Sequence, residues 1–398
     1  MLKLEEKREL EPQDEATKKK RRYNFRRTVQ LDYSAMNEGE NKVAKFMHPH
    51  IEQFNREFEK YVLTGDEGTM SYDDYVDKFE TIEVPLRIRD PERSGICIQV
   101  EDSAIRSVDK VMQSVGEDHF VNVMDVQSQE NERWTMKQWT DYFSKPHDSR
   151  DRIRNVISLE VSDIRGLSFN RPSIVDKKDL VDIVWDVHEE KGTNIDIPRP
   201  KVTKYCLMSV KDAFTDYHLD FAGTSVYYNL VFGKKRFILY PPTPNNLEKY
   251  IEWSTSTYQN STFLGSQLSD GIAMELNSGD LFMIPAGYIH VVYTPEDSLI
   301  FGGNYLTLRD LSKHLKITDV EKEIGIPKKY TFPNIDEVMG RTCEWLIKQA
   351  LNNNRYDLGK NAITSLVNYV KQGKTKYKPV DFSDKRSMLR QLTDIYSL

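Results

Sequence analysis

The chain has 398 residues, 38% apolar and 30% charged, with 56 Lys and Arg against 62 Asp and Glu and a net charge of −6. This suits a soluble folded chain of one large unit or two to three smaller ones. It excludes a uniformly nucleic-acid-coating protein, although local patches matter more than totals. No run approaches the ~18–20 apolar residues that span a bilayer, and no charged-then-apolar leader opens the chain, which argues against secretion. The cysteines Cys97, Cys206 and Cys343 form no C-x-x-C pair, so neither a zinc finger nor a disulfide framework is encoded, and a reducing compartment is the natural setting.

Residues 1–45 read as a charged, partly disordered arm carrying Lys18, Lys19, Lys20, Arg21, Arg22, Arg26 and Arg27. Such an arm is a solvated tail, a nuclear-import signal or a DNA contact. Residues 46–200 form a mixed region. Ile51, Phe54, Phe58 and Val62 fall at helical spacing, with helices expected over about 48–82. Thr135 with Gln138 makes a capping box ahead of a short aromatic helix, Trp139 to Phe143. Asn155 to Val161 reads as a strand, and Gly192 to Lys201 as a loop. Residues 201–310 are a β-rich block of short runs (TKYCLMSV, SVYYNLVF, KRFILY, LFMIP, HVVYT, SLIFGGNYL) broken by NSGD and PAG turns, a sandwich or barrel texture. Residues 311–398 are assigned to a C-terminal helical region, in which helical periodicity is read from about residue 334. Val338, Met339, Thr342, Trp345 and Leu346 share one face. Ile363, Leu366, Val367 and Val370 mark a second helix ending near Gly373. Ser383 is positioned to cap a third with Met388, Leu389, Leu392 and Ile395. The fold class is therefore α+β, with a helical bundle after the β block.

His218 and Asp220 form an H-x-D at the edge of that block. On a strand, residues two apart face the same side. His290 lies 70 residues after Asp220, just beyond Pro285-Ala286-Gly287. H-x-D alone is weak, since a lone His at a strand edge is usually an ordinary polar residue. The order within one rigid block is what points to two histidines and a carboxylate acting as the facial triad of a non-haem iron(II) oxygenase, with positions left open for a co-substrate and O2. The remaining histidines, His48, His50, His119, His147, His188 and His314, have no such partners and read as surface or structural residues.

Lys235 sits 17 positions after His218, in GKKRF. One reading makes Gly233 to Arg236 a basic hairpin turn. The other uses strand alternation, which places Lys235 with Phe237 and Leu239 on an apolar face. A lysine directed into a barrel is expensive unless it meets an anion, such as the distal carboxylate of 2-oxoglutarate.

The runs YHLDFAGTSVYYNLVFGKKRFILYPP and DLFMIPAGYIHVVYTPEDSLIFGGNYL resemble the JmjC domain. FVNVMDVQSQ, WTMKQWTDYF, NVISLEVS and KYCLMSV are similar to the branch of histone demethylases acting on lysine 36 of histone H3. The resemblance spans roughly residues 95–310. It implies a double-stranded β-helix of the cupin-like jelly-roll type, with Fe(II) held by His218, Asp220 and His290. It also implies a 2-oxoglutarate pocket in which Lys235 and Thr215 meet the distal carboxylate and Asn155 lies near the co-substrate. Tyr228 matches an aromatic residue between co-substrate and methyl-lysine. The implied reaction oxidises the N-methyl group of mono- or dimethylated lysine 36 with O2 and releases formaldehyde. The implied partner is a methylated histone H3 tail or nucleosome, in the nucleus, with DNA contact open to the basic arm. Tyr227 stands where relatives have Trp, and Ala222 where they have Gly, departures that bear on substrate fit rather than on iron. Three alternatives stay open. A JmjC protein hydroxylase needs the same residues; a catalytically weak chromatin-binding scaffold needs none of them; a zinc or manganese cupin leaves Lys235 and Asn155 unexplained.

Overall fold

The computed structural model describes residues 47–101, 103–128, 130–189, 197–372 and 377–398. The basic arm, the first half of the expected Gly192 to Lys201 loop and the stop at Gly373 lie outside them.

Among the described residues, eleven strands join in one mostly antiparallel sheet, and three short ones form a second. Two long strands organise the larger sheet. Ser225–Tyr240 and Ile289–Tyr305 pair antiparallel along their length, with register shifts between Leu230 and Arg236. Each changes its outer partner halfway. Val226 to Asn229 pairs with Leu281–Ile284, whereas Lys234 to Leu239 pairs with Ile272–Asn277. On the other long strand, Ser298 to Gly302 pairs with Tyr205–Ser209, and His290 to Tyr293 with Phe214–His218. Strands preceding residue 201 extend the same sheet, through Arg154–Glu160, Phe120–Asp125 and Asn131–Thr135.

Gly233 to Arg236 is thus not a hairpin turn but the middle of a continuous strand. The chain tolerates three consecutive basic residues there because alternation separates them. Lys235 faces inward, while Arg236 meets Glu275 across the sheet at 2.7 Å and Lys234 lies 3.4 Å from the same carboxylate. Gly233 supplies the bend. Its φ is +89°, and a Cβ there would sit 2.1 Å from the Asp297 carbonyl. Gly233→Ala should therefore destabilise the fold by about 2 kcal/mol or more, from an unfavourable φ and a backbone clash together, read as a drop in melting temperature.

Helix Ile51–Tyr61 buries Ile51, Phe54 and Phe58 against this sheet. The Thr135/Gln138 capping box opens a helix that starts three residues before Trp139, at Met136–Phe143. The expected strand at Asn155 is Arg154–Glu160. Helices Ile335–Leu351, Gly359–Gln372 and Lys385–Tyr396 build a second core around Leu346, Leu366 and Leu392, joined by Trp185 and Leu311. The cap of the last helix is Asp384 rather than Ser383. Its carboxylate accepts from the Ser387 N–H, and the Ser387 hydroxyl accepts from the Asp384 N–H. Helices Pro244–Thr255 and Leu311–Glu323 had no counterpart in the periodicity. No helix of the described residues is long and apolar enough to cross a membrane.

Candidate metal and co-substrate site

Antiparallel pairing sets His218 directly opposite His290, and their ring centroids lie 4.1 Å apart. His218 Nδ1 is 2.8 Å from the Asp216 carbonyl, and His290 Nδ1 is 3.1 Å from the Tyr288 carbonyl. A carbonyl only accepts, so each Nδ1 carries the proton and each Nε2 is the basic nitrogen, the one able to ligate a metal. Asp220 Oδ2 lies 3.8 Å from His290 Nε2, and donor atoms of all three residues fall within 4.8 Å of one another. The strand ends at His218, so Asp220 is brought in by the turn Phe221–Gly223 that follows it, not by strand alternation. Two imidazoles and one carboxylate fit iron(II) as a donor set.

All seven candidate residues, Asn155, Thr215, His218, Asp220, Tyr228, Lys235 and His290, line one cavity of about 690 Å³. Lys235 is only 2% exposed. Its Nζ donates to the Ser209 hydroxyl at 2.7 Å and the Thr294 hydroxyl at 2.8 Å. Ser209 in turn donates to Asn155 Oδ1 at 2.6 Å, and Asn155 Nδ2 donates to Thr215 Oγ1 at 3.4 Å. Among the described residues no carboxylate pairs with Lys235, and burial pushes its ammonium down to about 7. A buried cation held by neutral hydroxyls fits a site built to receive an anion. Tyr228 packs edge-on against Phe237 at 5.3 Å, two positions along the strand face from Lys235.

Ser209 and Thr294 were not picked out from the sequence, yet alternation contained them. Tyr205, Leu207 and Ser209 line the cavity with period two; His290 and Val292 do the same, and Thr294 follows at the next inward position. Ser209→Ala leaves Lys235 and Asn155 each one partner short. It should lower stability by about 1–3 kcal/mol in chemical denaturation.

Tyr227 and Ala222 do not line the cavity. Tyr227 is fully buried and its hydroxyl donates to the Thr203 carbonyl. Neither departure therefore touches the pocket wall. The expectation that the other histidines lack partners needs correction at three positions: His48 and His50 are buried and cluster with Asp216, and His147 Nε2 lies 3.3 Å from Asp212. His314 is fully buried, in keeping with a structural role; the His188 side chain is outside the described residues.

The JHD1 C-terminal domain family matches residues 336–395, the segment that forms the three last helices. JmjC domain-containing histone demethylation protein 1 of Candida glabrata is 62% identical over 396 residues, covering 99% of this chain and 98% of that protein. The protein of the same name from Saccharomyces cerevisiae is 51% identical over 398 residues, covering 95% and 80%. Lysine-specific demethylase 2A of Xenopus tropicalis is 41% identical over 257 residues, covering 62% of this chain and 22% of that protein. The chain belongs to the JmjC domain-containing histone demethylation protein 1 family.

Proposed function

We propose that this protein is an iron(II)- and 2-oxoglutarate-dependent histone demethylase acting on mono- or dimethylated lysine 36 of histone H3. In this reading the two long strands and their partners form a double-stranded β-helix. The single observation that carries it is the polarity of one cavity. At one end two histidines, each with its Nδ1 against a backbone carbonyl, gather with a carboxylate; at the other a buried ammonium is held by hydroxyls.

His218, Asp220 and His290 would hold the iron. Lys235 would receive the distal carboxylate of 2-oxoglutarate, with Thr215 donating a hydroxyl to it and Asn155 holding Thr215 directly and Lys235 through Ser209. Iron(II), 2-oxoglutarate and O2 together supply, when bound, the oxidising power that converts an N-methyl group to a hydroxymethyl group, which leaves as formaldehyde. Tyr228 offers an aromatic face to the methylated ammonium, and the apolar walls around Phe237 and Val292 keep water from the reacting carbon. The names of the relatives support a histone substrate; the branch-like segments NVISLEVS and KYCLMSV support lysine 36. Action on chromatin implies a nuclear setting, where the basic arm is available to DNA.

Incubation with iron(II), 2-oxoglutarate and ascorbate plus methylated histone H3 peptide should yield succinate and formaldehyde in step with each other. Succinate without formaldehyde would place the activity on another substrate. Neither product, with iron bound, would favour a scaffold.

A further inference from the structure

Helix Leu311–Glu323 follows the last long strand and lies against the turn Phe221–Gly223, which comes directly after Asp220. Three side chains of one helical face, His314, Ile317 and Glu321, make the contact. Glu321 Oε1 accepts the N–H of Ala222 at 2.7 Å. His314 Nε2 accepts the N–H of Thr307 at 3.0 Å, so its Nδ1 carries the proton. That proton faces the carbonyls of Gly223 at 3.1 Å and Ala222 at 3.2 Å. Between the two polar contacts, Ile317 fills the space a side chain at Gly223 would need; a Cβ there would lie 2.7 Å from Ile317 Cγ1. Ile317 also lies 3.8 Å from the corresponding point at Gly287, in the turn that leads to His290. The helix therefore packs on the turn that follows Asp220 and comes close to the turn that precedes His290.

The turn needs an outside hold. Ala222 has φ +50° and Gly223 φ +55°, two consecutive left-handed residues, of which the first carries a Cβ that disfavours the conformation by about 1–2 kcal/mol. Glu321 is an expensive way to supply that hold. It is buried and forms no ion pair among the described residues, and it lines the same cavity as the triad. An apolar residue would cover the turn as well but would leave the Ala222 N–H without an acceptor.

We infer that Glu321 and His314 are positioning residues for the metal site, fixing the backbone of the Phe221–Gly223 turn and, through it, the carboxylate of Asp220. This rests on the reading of His218, Asp220 and His290 as metal ligands. The required property of Glu321 is an acceptor oxygen rather than a charge. Burial pushes its carboxyl up to about 7, and either protonation state keeps such an oxygen.

The test is a titration of the metal-free full chain with Co(II), a spectroscopic stand-in for iron(II), alongside thermal unfolding. Glu321→Met fills the space without an acceptor and should weaken Co(II) binding about 10–100-fold, the range seen when groups that orient metal ligands are removed. Glu321→Gln restores an acceptor and should bind Co(II) as the wild type does. Should Glu321→Met not fold, His314→Leu against His314→Gln reads the same contrast on the carbonyl side, because glutamine supplies one donor and one acceptor. Undiminished Co(II) binding by Glu321→Met, or a loss in Glu321→Gln as large as in Glu321→Met, overturns the inference while the triad stands. A wild type that does not bind Co(II), or that His218→Ala matches, overturns the triad and the inference together.

Discussion

His218→Ala is expected to abolish both iron(II) binding at the site and turnover. The mutation leaves one imidazole and one carboxylate, and a two-donor site does not hold a labile divalent cation against water. Changes in groups that merely orient a ligand weaken metals about 10–100-fold, so loss of a ligand itself should exceed a hundredfold. The fold should survive, because His218 is half-exposed at the end of its strand and contributes little to the core. Asp220→Ala should behave in the same way. Iron content after desalting, measured beside the circular dichroism spectrum, checks both. Full activity in either variant would contradict the ligand assignment.

Lys235→Met should weaken 2-oxoglutarate about ten- to a hundredfold, equivalent to a charge-assisted hydrogen bond of about 1.5–3 kcal/mol, while leaving Co(II) affinity unchanged. The same residue imposes a pH dependence with a definite sign. Its folded-state value, about 7, lies below the ordinary lysine value of 10.5. Between those two pH values the unfolded chain binds more protons than the ligand-free folded chain, so stability rises with pH across the window. Below about pH 7 the lysine is charged in both states and its unfavourable contribution is constant. The co-substrate carboxylate requires the ammonium, so 2-oxoglutarate affinity should fall as pH rises above about 7. Lys235→Met should remove both slopes. Calorimetric titration of 2-oxoglutarate at several pH values reads the binding slope, and a Lys235→Met protein that retains it would show that another group is responsible.

Much of the site was legible because its residues follow the period of a strand. His290, Val292 and Thr294, or Lys235 and Phe237, fall on one face by alternation alone. The antiparallel pairing that sets His218 opposite His290 was not legible, since register depends on partners distant in the chain. The GKKR run shows the limit of local reading. Glycine followed by three cations looks like a turn, and partners distant in the chain, Glu275 and Glu296 for Lys234 and Arg236 and the Ser209 and Thr294 hydroxyls for Lys235, make a continuous strand tolerable there. Helix Pro244–Thr255 carried clear signals that periodicity overlooked, a Thr243 cap and a proline at its start. Helix Leu311–Glu323 is different. It buries Leu315 and Val320 together with His314, Thr318 and Glu321, so no apolar stripe stands out against a polar one. Two of the polar residues that hide this helix, His314 and Glu321, are the ones that hold the turn after Asp220.

If the proposed function holds, this cavity removes a methyl group from a histone lysine with iron and 2-oxoglutarate. The most direct test is the mass of a histone H3 peptide dimethylated at lysine 36 after incubation with wild type and with His218→Ala. Successive loss of methyl mass is expected with the wild type and an unchanged peptide with the variant. A stable gain of one oxygen, or equal demethylation by His218→Ala, would contradict it.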